Sequence, residues 1–431
     1  MTGSVVVVGA GIAGLTAAHD LSRAGWNVVT LEASDRIGGR MSTERRDGYV
    51  IDRGAQFLSD GYDTIFDLIG ACGLSREVCT GSEWIGVVRD GQVRRMNVRR
   101  PWTVATSGLL GWRDTLRVMR ATVALTARTR RLPLNDYSKW QTLDQVDAAA
   151  WIADSFGAEA LESIFEPMLE GLYFQPPEGM SRAWPAIAWS FGVRRKRIAT
   201  LSNGIGSLAE AMAQKLDVHL RAPVEAIDTT EGGVRVRSGG EAFDAEYAIV
   251  ATTASVARKL RTAENDHEQR LLDTTYSAGL NISVTMAPGF SATDVYGILI
   301  PRRERRVIAS IAIESQKCPA YARRSELLNV MLSGVASSRL RAQADADVLA
   351  EVLPDLDRVL PGAGRSIESA KIYRWPEAEP RSPIGRSRDI AAYRQRWRPD
   401  MKVLLAGDYM GIPCTEGAAE SGRWAATALI G

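Results

Sequence analysis

Histidine is scarce in this chain: 431 residues hold three, His19, His219 and His267. One falls in a helical pattern and one among apolar strand residues. All three read as structural, which leaves little imidazole for acid–base work, and no metal site is expected. Cysteine is nearly as sparse. Cys72, Cys79, Cys318 and Cys414 show no C-x-x-C spacing and read as reduced thiols of a cytoplasmic protein rather than disulfides or metal ligands. No apolar run approaches the roughly 20 residues of a membrane-spanning helix. Met1 leads almost directly into a strand pattern without a basic stretch, so no signal peptide is expected. Net charge is small as well, +2 from 53 Lys and Arg against 51 Asp and Glu, which argues against a nucleic-acid partner. The length exceeds what one core supports, so two packed domains are expected.

What is present is a strand–turn–helix–strand unit at the N-terminus. Residues 4–8 are a short β-branched run, the pattern of a parallel strand buried on both faces. Gly9, Gly11 and Gly14 follow at once. An Ala- and Leu-rich helical pattern then runs over 12–24 and is closed by Gly25. A second strand, 26–31, ends at Glu32, 18 residues after Gly14. A lone G-x-G-x-x-G is weak, but here the whole context is met. Gly9 allows the tight turn, Gly11 lets backbone approach a pyrophosphate, and Gly14 lets helix and strand touch. The helix N-terminus faces the phosphates. Glu32 can accept hydrogen bonds from both ribose hydroxyls of an adenosine and would repel a 2′-phosphate. An adenine dinucleotide is the expected ligand.

Further along, helical patterns run over 143–170, a helix is expected over 201–216, and strands at 218–220, 234–237 and 247–251. Strands at 282–286 and 307–313 and a helix over 327–340 come next. The tail returns to a strand at 402–406, then Gly407-Asp408 and a small-residue helix over 416–429. No repeat or low-complexity linker separates these pieces, so the domains are expected to interleave. Between Arg94 and Arg131 lie ten arginines, those two included, and one acid, Asp114. Part of that segment, 112–127, reads as an amphipathic helix. It is either a solvated cap whose arginines meet acids elsewhere, or a basic surface for an anionic substrate or for peripheral membrane contact.

Downstream of Glu32 the chain reads Ala33-Ser34-Asp35-Arg36-Ile37-Gly38-Gly39-Arg40. Here it resembles the superfamily of flavin-containing amine oxidoreductases, which also holds protoporphyrinogen oxidases and carotenoid desaturases. The family pattern of an acidic residue, a spacer and R-x-G-G-R is matched at Glu32, Arg36, Gly38, Gly39 and Arg40. The resemblance implies FAD, with Gly39 and Arg40 near the pyrophosphate and flavin edge, where an Arg fork suits phosphate oxygens. Gly54, Ala55, Gln56 and Phe57 are similar to the segment that lays backbone against the flavin. Gly407-Asp408 and Gly417-Ala418 resemble the C-terminal FAD signature, which implies Asp408 near the ribityl or phosphate portion and a helix start aimed at the flavin N1–C2 edge. Val224 would match the strand that contacts adenine. The implied fold class is α/β, a Rossmann-type FAD-binding domain of the glutathione-reductase/amine-oxidase kind with an interleaved mixed-sheet and helical substrate domain. Residues 1–75, 200–265 and 395–431 would form the first, and 76–199 and 266–394 the second, with a helical cap.

The resemblance also narrows the reaction. Relatives that bind FAD covalently carry a Cys that this chain lacks between Trp375 and Gly407, so FAD is expected to be non-covalent. Amine oxidases of the family carry a middle-strand Lys; Asn281 stands there, and no Lys lies between Lys259 and Lys317. Phe165-Glu166-Pro167, Trp184-Pro185 and Tyr373-Arg374-Trp375 with Pro380 are similar to the protoporphyrinogen-oxidase-like branch. The expectation is a two-electron dehydrogenation of a small molecule by hydride transfer to flavin N5, with O2 as acceptor and no assigned general base. Trp375, Phe57, Tyr409 and Asn281 are the candidates for the pocket wall. A flavin amine oxidase, a desaturase for a carotenoid-like or other apolar lipid, and a redox-neutral flavoprotein are the alternatives.

Overall fold

The computed structural model describes residues 3–431. Its first strand, Ser4–Val8, contains four consecutive valines, all at or below 4% exposure, as a central parallel strand covered on both faces requires. Asn27–Leu31 and Tyr247–Val250 flank it in parallel. Asp217–His219 and Val403–Leu405 complete the five strands, in the order Asp217–His219, Asn27–Leu31, Ser4–Val8, Tyr247–Val250, Val403–Leu405. The sheet therefore draws its strands from three distant stretches of chain.

Two helices pack tightly beside it, Ile12–Arg23 and Thr415–Ile430. A Cβ added at Gly422 would lie 2.0 Å from the carbonyl oxygen of Ala13, and one at Gly14 would lie 1.9 Å from that of Gly9. Only glycine lets these backbones approach so closely. That contact seats the C-terminal helix against the first turn of the N-terminal one.

A second sheet has seven strands, in the order Ile367–Trp375, Gly279–Met286, Leu327–Leu332, Ile308–Ile313, Gly297–Leu299, Trp84–Arg89, Gln92–Asn97. Its neighbours are antiparallel except Gly297–Leu299 against Trp84–Arg89. The helix expected over 327–340 is corrected here. Leu327–Leu332 is a fully buried strand, and the helix is Gly334–Leu340, capped by the Ser333 hydroxyl accepting from the Ala336 N–H. A six-residue apolar run carries no period that separates a buried strand from a buried helix.

Smaller departures have local causes. The helix expected over 201–216 is Gly206–Ala213, because Leu201 ends the strand Ile198–Leu201 and Gly204 turns the chain at φ +91°. Two strands without clean alternation, Val224–Thr229 and Glu241–Ala245, flank Val234–Ser238 in an antiparallel ribbon. The helical stretch over 143–170 is broken into short pieces that include Ala148–Ser155 and Glu166–Tyr173. Among the described residues no helix is long and apolar enough to cross a membrane.

Candidate functional site

At the end of Ser4–Val8 the chain turns through Gly9 at φ +103°, where a Cβ would press within 2.9 Å of the Ala251 carbonyl. The helix Ile12–Arg23 starts with Gly11 as its cap, and no side chain closes its first turn. Its N–H groups are thus left for a ligand. The space in front of Gly11 is open: a Cβ there would meet nothing within 4 Å. Gly39, at φ +54°, faces the same place, and the nearest atom to its added Cβ is the Gly11 Cα at 3.7 Å. This cradle, which side chains would fill, fits the diphosphate of a dinucleotide.

Glu32 stands beside it. Its Oε2 accepts from the Ala10 N–H at 2.8 Å and its Oε1 from Ser34 N–H at 2.8 Å, so the carboxylate is oriented without a cationic partner. The Ala222 N–H donates to the Glu32 carbonyl at 2.8 Å, which brings the strand that begins at Val224 alongside. Arg36 points away: its exposed guanidinium meets Asp35 at 3.4 Å.

Beyond the cradle lies a cavity of about 120 Å³. Arg40, Gly54, Ala55, Gln56 and Phe57 line it from one stretch of chain; Asn281, Trp375, Asp408 and Ala418 line it from three others. Arg40 Nη1 meets Asp408 Oδ2 at 2.5 Å and donates to the Ala378 carbonyl at 2.9 Å. Burial works against its charge, yet Asp408, Tyr276 and Glu379 together outweigh that and hold the guanidinium above its ordinary pKa. Trp375 Nε1 donates to the Arg53 carbonyl at 2.8 Å, and Asn281 Nδ2 reaches the Arg53 and Gly54 carbonyls at 3.1 Å each. The Asn281 Oδ1 is buried and has no partner. Cys414 and Thr415, at the uncapped start of the helix Thr415–Ile430, also face the cavity. Gly407 and Gly417 sit behind the wall: a Cβ at Gly417 would strike the Ile412 carbonyl at 2.0 Å. Tyr409 departs from expectation. It is fully buried in the core and does not line the cavity, because the turn Asp408–Met410 directs Asp408 to the cavity and the ring away from it.

Several wall and support residues escaped the sequence reading. Tyr296 packs edge-on against Phe57 with centroids 6.4 Å apart, and Phe174, in the left-handed region at φ 54°, closes the same side. Glu379 also faces the cavity. Burial pushes its carboxyl up to about 8, with Arg40 opposing and Asp408 adding to the shift. It falls inside the Trp375–Pro380 motif, which could have drawn attention to it.

Beneath the 54–57 segment is a buried ionic hub centred on Asp52. Its Oδ1 accepts from the Thr43 hydroxyl at 2.6 Å and the Ile205 N–H at 3.1 Å; its Oδ2 accepts from Tyr321 at 2.6 Å and from Lys317 at 3.2 Å. Lys317 Nζ also meets Glu314 at 2.6 Å and donates to the Gln56 carbonyl at 2.8 Å. Burial opposes its charge, but Glu314 and Asp52 hold the ammonium above its ordinary pKa. Only Glu314, three residues earlier, is local to Lys317; its contacts with Asp52 and Gln56 lie across the fold, so no local pattern marks it.

Fold and cradle together define a dinucleotide-binding protein with an enclosed slot beyond the nucleotide. Residues 12–430 match the family model described as flavin containing amine oxidoreductase, and the chain belongs to that family. FAD is its cofactor and the protein is an oxidoreductase. The coproporphyrinogen III oxidase of Mycobacterium tuberculosis (strain ATCC 25618 / H37Rv) is 25% identical over 450 residues, covering 96% of this chain and 95% of that protein. A possible lysine-specific histone demethylase 1 of Drosophila melanogaster is 50% identical over 60 residues, which span 14% of this chain and 7% of that one. Among solved structures, a putative protoporphyrinogen oxidase from Exiguobacterium sp. 255-15 superposes with a TM-score of 0.80 at 21% identity, covering 100% of this chain and 99% of that one.

The hub generates a stability prediction. Lys317→Met leaves Asp52 and Glu314 facing one another without their shared cation, at a cost of about 3–5 kcal/mol. Urea unfolding followed by tryptophan fluorescence should show a midpoint well below that of the parent, whereas an unchanged midpoint would remove Lys317 from the framework.

Proposed function

We propose that this protein is an FAD-dependent oxidase that removes two electrons from a small organic substrate in a porphyrinogen-oxidase-like dehydrogenation, with O2 as the electron acceptor. The supporting observation is convergence: ten residues singled out from the sequence, in four stretches of chain, line one cavity next to the glycine cradle. Residues 1–75, 200–265 and 395–431 would form the FAD-binding unit and the remainder the substrate unit.

When bound, FAD supplies a two-electron acceptor at N5. The chain's own groups do the rest. Gly9, Gly11, Gly14 and Gly39 clear the diphosphate path, and the uncapped helix start offers N–H donors to it. Glu32 receives the ribose hydroxyls, Val224 backs the adenine, and Arg40 with Asp408 orders the phosphate and ribityl portion. The 54–57 backbone and Trp375 would flank the ring, and the uncapped helix start at Cys414-Thr415 would offer N–H donors to its N1–C2 edge, where negative charge collects. Binding is non-covalent. Cys414 faces the cavity, but burial pushes its thiol up to about 12, so it is not a thiolate available to attack. Asn281 has its amide engaged with backbone carbonyls, and no Lys lines the cavity among the described residues. Both features weigh against a simple amine oxidase.

A second reading concerns location. Trp112, Leu116, Met119 and Val123 form an exposed stripe on the helix Trp112–Thr129, with Trp112 at 73% and Val123 at 70% exposure. Of the ten arginines between 94 and 131, two meet carboxylates among the described residues: Arg95 with Asp294 and Arg99 with Glu83. An apolar stripe edged by unpaired cations is the pattern of a helix lying on anionic lipid.

Three outcomes follow. Anaerobic mixing with a porphyrinogen should bleach the flavin absorbance; bleaching by amines alone would make the protein an amine oxidase, and silence with both would favour a lipid desaturase or a redox-neutral flavoprotein. Glu379, at about 8, is raised further when a diphosphate arrives near Arg40, so FAD binding takes up a proton. FAD affinity measured by fluorescence titration should be greatest below that pH and fall as pH rises through it; Glu379→Gln should flatten the profile, and a profile unaltered by that change would rule the carboxyl out. The protein should co-sediment with phosphatidylserine-containing vesicles and not with pure phosphatidylcholine, and Val123→Asp should lower binding several-fold; equal binding to both vesicle types would contradict the lipid surface.

A further inference from the structure

A second cavity, about 160 Å³, adjoins the first and shares Phe57, Leu172 and Leu299 with it. Its walls are overwhelmingly apolar. Ile85, Val87 and Met96 come from the edge of the seven-stranded sheet, and Met168 and Trp189 from the helices over it. Two tyrosines on the wall, Tyr62 and Tyr173, are kept neutral by burial. No carboxylate lines it among the described residues.

Two cations do, Lys196 and Arg197, and they differ. Arg197 is taken up by Asp60, which accepts from its Nε at 2.9 Å and from its backbone N–H at 2.8 Å. Lys196 has no carboxylate within reach among the described residues, although it is only half-exposed. Its stem passes close to Gly61, where an added Cβ would lie 2.8 Å from the Lys196 Cγ, and the preceding Arg195 adopts φ 57°. An ammonium without a carboxylate partner, beside an apolar cavity without an acid, repels amines and attracts anions.

We infer that this second cavity seats the body of the substrate, and that it takes an apolar carboxylate whose anionic end is held by Lys196 while the rest reaches past Phe57 and Leu172 toward the flavin slot. The inference rests on the proposed oxidation for calling that ligand a substrate; the binding itself stands apart from turnover. Lys196 is then a specificity residue, separating apolar acids from amines of the same length.

Isothermal titration of the FAD-loaded protein with decanoate, decanol and decylamine tests this. Decanoate should bind tightest, and Lys196→Gln should weaken it about tenfold or more, the loss of one charge-assisted contact, while decanol affinity stays the same. Lys196→Arg should retain decanoate, and Met168→Trp, which fills the cavity, should abolish decanoate and decanol binding alike. Tighter binding of decylamine, decanoate binding indifferent to Lys196→Gln, binding that survives Met168→Trp, or no binding at all would overturn the assignment. Lys196-dependent decanoate binding without flavin bleaching by any porphyrinogen would keep the cavity assignment and remove the proposed reaction. Bleaching by a porphyrinogen with no Lys196 effect would do the reverse.

Discussion

The carboxylate of Asp52 is the constraint on which the candidate site depends. One oxygen is held by Thr43 and by the Ile205 N–H, which belong with the glycine-rich half of the fold; the other is held by Lys317 and Tyr321, which lie between two strands of the seven-stranded sheet, Ile308–Ile313 and Leu327–Leu332. Asp52 is thus one buried anion shared by both halves. Leaving such a charge unpaired is far costlier than keeping it paired, so the four partners and Asp52 specify one another's positions. The segment just after Asp52 inherits that rigidity. Gln56 donates to the Asp52 carbonyl at 3.0 Å and accepts from Asn329 at 2.7 Å, and the backbone of Gly54 to Phe57 becomes a fixed floor for the cavity.

Close backbone packing does at the nucleotide end what the hub does at the ring end. Gly14 and Gly422 bring the first helix against its strand and against the C-terminal helix at distances no side chain would permit. Two helix starts are thereby placed around one continuous space, the first at Gly11 and the second at Cys414. Neither is capped by a side chain. Both leave donors facing a region where an anionic cofactor gathers charge, so packing and electrostatics serve the same end.

Much of this was legible in the sequence, for physical reasons that differ from part to part. The valine run, the spaced glycines and Glu32 are local, and local geometry alone demands them; the first strand, turn and helix lie where they were expected. The lining positions 54–57, 281, 375, 408 and 418 came from resemblance, because each motif is short and its chemistry is specific. Tyr409 was misplaced because adjacency to Asp408 does not determine which way a ring turns. The 327–340 segment was misread because LLNVML carries no period. Lys317, Tyr321 and Tyr296 were invisible, since what makes them important is a partner more than 200 residues away. Lys196 is similarly silent: an ordinary-looking lysine becomes informative only when its neighbours prove apolar.

The exposed arginine-rich helix packs against a wall of the apolar cavity. Trp189, in the cavity wall, donates from Nε1 to the Thr122 hydroxyl at 3.1 Å, so the helix that carries the outward apolar stripe also buttresses the cavity from behind. An apolar ligand and an apolar surface on opposite sides of one element make a consistent arrangement for a substrate of low water solubility.

The central claim is that the flavin ring lies in the cavity walled by Trp375 and floored by residues 54–57. Flavin fluorescence lifetimes test it most directly, because an indole beside the ring quenches the excited flavin by electron transfer. Trp375→Phe should lengthen the lifetime of the bound FAD, while Trp112→Phe, at the exposed helix, should leave it as it is. A lifetime unchanged by Trp375→Phe, in protein that still binds FAD, would place the ring elsewhere and contradict the account.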